Sequence, residues 1–298
     1  MEEKKQPIKK KKGGLWKMLI LVMVFTVGLG IFAYPIVSNY LYERAADSVN
    51  NDFDSSVAKI TDSEVDERLK LAEAYNALLS GDSDSAALAD PYTQEQMDAG
   101  LQEYARMLEV SEQIGHVVIP KLALDVPIYA GTSEAVLQKG IGHMEGTSLP
   151  IGGNNTHAVL TGHRGLPEAE LFTELDELEI GDKFYIKYIG GTLAYQVDQI
   201  KVVEPTDLSE LSVVQGHDYL TLLTCTPYMV NSHRLLVRAH RIEYVEAVEE
   251  NEIKESQTNY LYRNLFYATL AVLIIVLLWL LLHYLQNRKI RKEKDLLK

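Results

Sequence analysis

The chain has 298 residues, one cysteine, and 42 acidic against 29 basic side chains, for a formal net charge of −13 at pH 7. That balance argues against nucleic acid as a partner, because binding phosphates takes concentrated lysine and arginine. A lone thiol excludes an internal disulfide framework, and the length leaves room for one core domain with additions.

Residues 1–17 hold seven lysines against two glutamates, a net +5. They precede an uncharged apolar run, 18–37, of the roughly 20 residues needed to cross a bilayer. The run predicts a transmembrane helix. A cleaved signal peptide is the other reading, but the span is long and lacks a clear small-x-small cleavage site.

From 38 to 115 the sequence reads helical. Thr61, Asp62, Ser63 and Glu64 have the form of a capping box, and Val65, Leu69, Ala72, Tyr75 and Leu79 follow on one helical face. A polar, turn-rich stretch at 80–85 interrupts this region and leads to Asp90, Pro91 and Tyr92.

Over 116–245 the texture changes to short runs of strand character, at Val117, Val126, Ala158, Phe184, Tyr195, Lys201, Tyr219 and Leu235. Many short strands with turn signals predict a mainly β domain closed as a barrel. The glycine-rich stretches at 140–146 and 152–155 do not follow the phosphate-loop pattern.

Chemistry concentrates near the end of this region. A Thr-Leu-Leu-Thr-Cys-Thr-Pro-Tyr run at 221–228 predicts a buried strand that ends at about Cys225, because Pro227 cannot donate to a ladder. A loop over 226–232 leads to a second strand beginning near Arg234, so neighbouring strands would set Cys225 beside Arg234. A cation near a thiol favours the thiolate, and an arginine fork can hold an oxyanion. A lone cysteine is more often a small buried hydrophobe. Against that stands the run 156–165, a strand candidate ending in Gly-His-Arg-Gly, which delivers His163 to a strand end in the same way. Histidine is the proton-transfer partner suited to a thiol near neutral pH. His143 and His157 are rival bases. His217, His233 and His240 lack a matching context, and no spacing here resembles a structural zinc site.

Beyond a linker over 246–264, a second apolar run predicts a transmembrane helix over 265–285, with Tyr262, Tyr267, Trp279 and Tyr284 towards its ends. The tail 286–298 carries a net +4, which leaves −22 for the middle of the chain. The positive-inside rule then predicts a multi-pass cell-membrane protein with both termini cytoplasmic and the acidic domain outside.

The Thr-Leu-x-Thr-Cys strand, the arginine nine positions after the cysteine and the Gly-His-Arg-Gly turn whose histidine lies 62 positions before it resemble the sortases. The strings at 225–228 and 231–238 resemble class C, the pilus-assembling group, and the likeness runs over about 90–241. The resemblance implies a closed barrel of about eight strands, with Cys225 as nucleophile, His163 as acid and base, and Arg234 on the oxyanion. It implies a lid on which Asp90 pairs with Arg234 and Tyr92 covers Cys225, where the family usually has Phe or Trp. It further implies pilin precursors bearing an LPxTG-like sorting signal as substrates, an acceptor lysine on another pilin, and a Gram-positive cell surface. No cofactor or metal is required for that chemistry. Some sortases use calcium, but nothing in the sequence identifies such a site. The alternatives are a housekeeping sortase that joins surface proteins to cell-wall precursor, and a catalytically silent scaffold that binds sorting motifs.

Overall fold

The computed structural model describes residues 13–80 and 103–246, with scattered positions onward to 286. The first helix, α1 (Gly13–Val57), is one continuous element that contains Pro35 without ending there. The division expected at residue 37 is therefore not a break in structure. Among the described residues one segment, Met23–Val57, is long and apolar enough to cross a bilayer. Its side chains Met23, Ile31 and Ile36 are exposed, as lipid-facing positions would be. This segment is the one candidate for a membrane-crossing helix among the described residues; the second span expected, over 265–285, falls partly outside them, and its described positions are helical.

Further along, α1 turns a buried face to the barrel through Ala46, Asn50 and Phe53. The second helix, α2 (Asp62–Leu79), starts where the capping residues predict, with the Thr61 hydroxyl accepting from the Glu64 amide at 3.4 Å. The reciprocal arm of the capping box is not used, because the Glu64 carboxylate is spent on Arg68 at 2.6 Å. Ala72 is buried on the predicted face, with Leu69 and Tyr75 packed beside it. Asn76 fixes the docking by exchanging two hydrogen bonds with the backbone of Leu149. The helical reading overreaches beyond residue 103. Only a single 3-10 turn, Glu103–Ala105, forms there, and Ser111 and Glu112 have positive φ, which an α-helix cannot contain.

Eight strands follow: β1 (Gly115–Ile119), β2 (Leu124–Ala130), β3 (Ile141–His143), β4 (Thr156–Thr161), β5 (Lys183–Tyr188), β6 (Gly191–Val203), β7 (Asp218–Thr226) and β8 (His233–Ile242). They close into a barrel in the order β1-β2-β3-β4-β7-β8-β6-β5. The pairs β2–β3 and β4–β7 are parallel and the others antiparallel. A short helix, α3 (Glu134–Leu137), sits between β2 and β3. The strand signals at Tyr195 and Lys201 belong to one strand, β6, whose register shifts between Val197 and Gln199. That shift turns Asp198 onto Arg238 at 2.9 Å.

Between α1 and the barrel a buried histidine meets two carboxylates. His116 is 1% exposed; its Nδ1 meets Asp125 at 2.5 Å and its Nε2 meets Asp54 of α1 at 3.2 Å. Burial opposes charge on the ring, but the bonds to Asp125 and Asp54 outweigh it, and the pKa stands above the ordinary imidazole value. The stabilisation is therefore fully present below about pH 6.5 and is lost as pH rises through the raised value. Asp54 shows the converse. Partial burial would raise its pKa, but His116 holds it below the usual carboxylate range, so its contribution fades as pH falls through that depressed value. We expect His116→Asn to loosen the docking of α1 by about 2 kcal/mol at pH 6 and to flatten the pH dependence, read by hydrogen exchange along residues 46–57. An unchanged pH profile would count against the pairing.

Candidate active site

The site is built by three adjacent strands. Across the antiparallel β7–β8 pair, Cys225 stands opposite Arg234. On the other side of β7, β4 runs parallel, with Thr161 beside Leu223. His163 follows two residues beyond the end of that ladder, in the turn after β4. Two bonds tie the segments beyond the ladder: the Gly162 amide donates to Leu223 O at 3.2 Å, and the Thr224 hydroxyl donates to Gly162 O at 2.7 Å. A Cβ at 162 would lie 2.5 Å from Ile141 Cδ1 and 3.0 Å from the Phe172 ring, so glycine lets the turn lie against these side chains without displacing them.

Strand β7 runs one residue further than Pro227 suggested, since Thr226 still pairs with His233. The Thr226–Pro227 bond is cis. Pro227 O then accepts from the amides of Val230 and Asn231, closing the turn. Arg234 is 6% exposed, and its guanidinium donates to the carbonyls of Asn231 and His233 at 3.2 and 3.1 Å. Cys225 is 8% exposed, so the sulfur sits just below the surface. Beside it the loop presents Tyr228, Met229 and Val230 to the outside.

The loop after His163 is closed at its neck by the Phe172 amide, which donates to His163 O at 3.2 Å. Its far side is pinned to α1. There the Glu170 amide donates to Asn39 Oδ1 at 2.8 Å, Asn39 Nδ2 donates to the Glu170 carboxylate at 3.1 Å, and Tyr34 donates to Glu168 at 3.1 Å. The helix that carries the apolar segment thus also braces the histidine loop.

A model of the sortase domain matches residues 117–242. The chain is 32% identical over 120 residues to sortase D of Bacillus subtilis, covering 40% of this chain and 58% of that protein. It therefore spans less than two thirds of that curated relative. Among solved structures, sortase C-1 of Streptococcus pneumoniae is 56% identical over 66% of this chain and all of that one (100%), with a TM-score of 0.64. Sortase C1 of GBS pilus island 1 is 59% identical over 67% of this chain and 94% of that one, with a TM-score of 0.62. The chain belongs to the sortase family.

In this sortase the two rival histidines have structural work. His143 is fully buried, with Tyr104 on Nδ1 at 2.8 Å and Ser148 O on Nε2 at 2.8 Å; burial lowers its pKa to about 4. His157 is held between Ser212 O and the Thr221 hydroxyl, and burial likewise lowers it to about 4. Both rings are neutral at pH 7 and fully committed. His163 differs. Burial lowers its pKa too, but Glu134, with a carboxylate oxygen 3.7 Å from Nε2, pulls in the opposite direction.

One buried cation escaped the sequence reading. Arg164 bonds Thr173 O, the Thr226 hydroxyl and Asp176, and lies over the Tyr228 ring at 6.0 Å. It clamps the histidine turn to the end of β7, and only its place beside His163 in the sequence could have drawn attention to it. Asp90 and Tyr92, expected on a lid, lie outside the described residues. No group of three or more His, Cys, Asp or Glu side chains is placed to hold a metal among the described residues.

Proposed function

We propose that this sortase is a membrane-anchored cysteine transpeptidase that assembles pili on the outer face of a Gram-positive cell. Cys225 attacks the Thr-Gly carbonyl of an LPxTG-like motif in a pilin precursor. His163 protonates the departing glycine amine, and Arg234 holds the motif and its oxyanion. A lysine amine of the next pilin then attacks the thioester, passes its proton to His163 and leaves as an isopeptide. Bond energy is conserved in the thioester, so no nucleotide is consumed.

The observation that supports this reading is that β4, β7 and β8 are neighbours, with Arg234 opposite Cys225 and the turn that carries His163 following β4. A surface that only bound a sorting motif would have no need of a thiol there. The similarity to two sortases C, one of them from a pilus island, favours lysine over a cell-wall amine as acceptor. The topology belongs to the same proposal: spans at 18–37 and 265–285, both termini inside and the barrel outside. So does the lid role of Asp90 and Tyr92, which rests on the resemblance of their tripeptide.

The test is competition between acceptors. With a sorting-motif donor, a lysine-bearing pilin peptide and a cell-wall-type peptide amine at equal concentration, the lysine isopeptide should dominate. Predominant transfer to the cell-wall amine would establish the housekeeping function instead.

A further inference from the structure

The carboxylate of Glu134 has no part in the reading above, yet it is built into place against His163. Helix α3 is seated on β3. A Cβ at Gly142 would run into Gly131 O and meet Leu137 Cδ2 at 3.0 Å and Val136 Cγ1 at 3.3 Å, so glycine there lets β3 lie close to the residue that follows β2 and to α3. Gly142 in turn pairs with Thr161, the last residue of β4 before the histidine turn. This stacking sets Glu134, the first residue of α3, beside His163. One carboxylate oxygen is occupied by Gln138 Nε2 at 2.5 Å, and the other lies 3.7 Å from His163 Nε2.

We infer that Glu134 is a positioning residue for transpeptidation, holding the imidazolium form of His163 in the orientation from which it gives up its proton. The inference rests on the transpeptidase reading. In acylation the Cys225 sulfur bonds to the threonine carbonyl carbon, the C–N bond breaks, and the imidazolium proton passes to the glycine nitrogen. In resolution the lysine nitrogen bonds to the thioester carbon, the C–S bond breaks, and the amine's proton returns to His163. The ring must therefore be cationic at the start of one half-reaction and at the end of the other, in a place where burial disfavours the charge.

Other groups stand near the histidine turn. Cys225 near the end of β7 and Arg234 near the start of β8 are on the neighbouring strands. Arg164, on the same turn, is neutralised by Asp176 at 2.6 Å. Glu134 favours the imidazolium against the burial that opposes it.

The experiment uses the full-length chain in detergent micelles. Glu134→Gln should lower kcat at pH 7 about fivefold, the scale of a half-exposed ion pair, with KM unchanged. The limb of the pH–rate profile that belongs to His163 should move to lower pH, and Glu134→Asp should recover most of the loss. A second readout needs no substrate. Cys225 is the only thiol in the chain, so alkylation by iodoacetamide reports its thiolate alone, and Glu134→Gln should reduce its rate below about pH 6.5, where the imidazolium sustains it. A lower kcat with both pH profiles unmoved would overturn the assignment and leave Glu134 a packing residue. If the alkylation profile shifts but the wild type acylates no sorting peptide, the coupling stands and the transpeptidase reading fails.

Discussion

Cys225→Ala is expected to abolish covalent capture of a sorting-motif peptide, and His163→Ala to slow it by about 10²- to 10⁴-fold, the range of a lost general acid. The two losses should not add, since without the thiol there is no tetrahedral intermediate whose amine needs a proton. Neither change should unfold the barrel. Alanine at 225 removes a single sulfur from a site that is 8% exposed, and His163 lies in a turn beyond the β4 ladder. Thermal melts of the two variants within about 5 °C of wild type would show that chemistry was lost rather than fold. A Cys225→Ala chain that still joined peptides would remove the thioester route altogether.

The second large effect is at Arg234. Arg234→Lys keeps the charge but not the planar fork, and it is expected to lower kcat about 10²-fold, as when one oxyanion donor is removed. The buried guanidinium also holds two carbonyls of the turn, Asn231 O and His233 O. Arg234→Ala would leave these carbonyls without that donor, so it should additionally loosen the loop carrying Tyr228 and Met229 and raise KM. Steady-state kinetics on both variants separates the roles: a lysine variant that loses only affinity would mean that Arg234 binds the motif without acting on the transition state.

How far the sequence could be read depended on how local each signal was. Cys225 and Arg234 lie on consecutive strands joined by a short loop, so hairpin geometry alone makes them neighbours. His163 is different: its strand runs parallel to β7 from 62 residues away, and no period or turn rule selects that partner. The choice among three histidines came from the family likeness, and the structure supplies its physical side by committing His143 and His157 to buried, neutral hydrogen bonding. Strand β3 went unseen because three residues, two of them buried beside a glycine, show no alternation. The signals at Tyr195 and Lys201 looked like two strands because the register shift at Asp198 breaks the period of one. Glu134 and Arg164 were invisible for another reason: each is an ordinary charged residue in sequence, and only the stacking of α3 on β3 and the fold-back at Thr173 give it a target. The continuity of α1 across residue 37 was equally hidden, since composition changes there while the helix does not.

The measurement that bears most directly on the central claim is intact mass spectrometry of the full-length chain during turnover. With a sorting-motif peptide alone, the protein should gain the mass of the fragment ending at threonine, carried on the Cys225 peptide and removable by hydroxylamine. Adding a lysine-bearing acceptor should discharge that mass into an isopeptide product. If the peptide binds and no adduct forms on Cys225 at any pH, the transpeptidase account is wrong, and the barrel is a surface for holding sorting motifs.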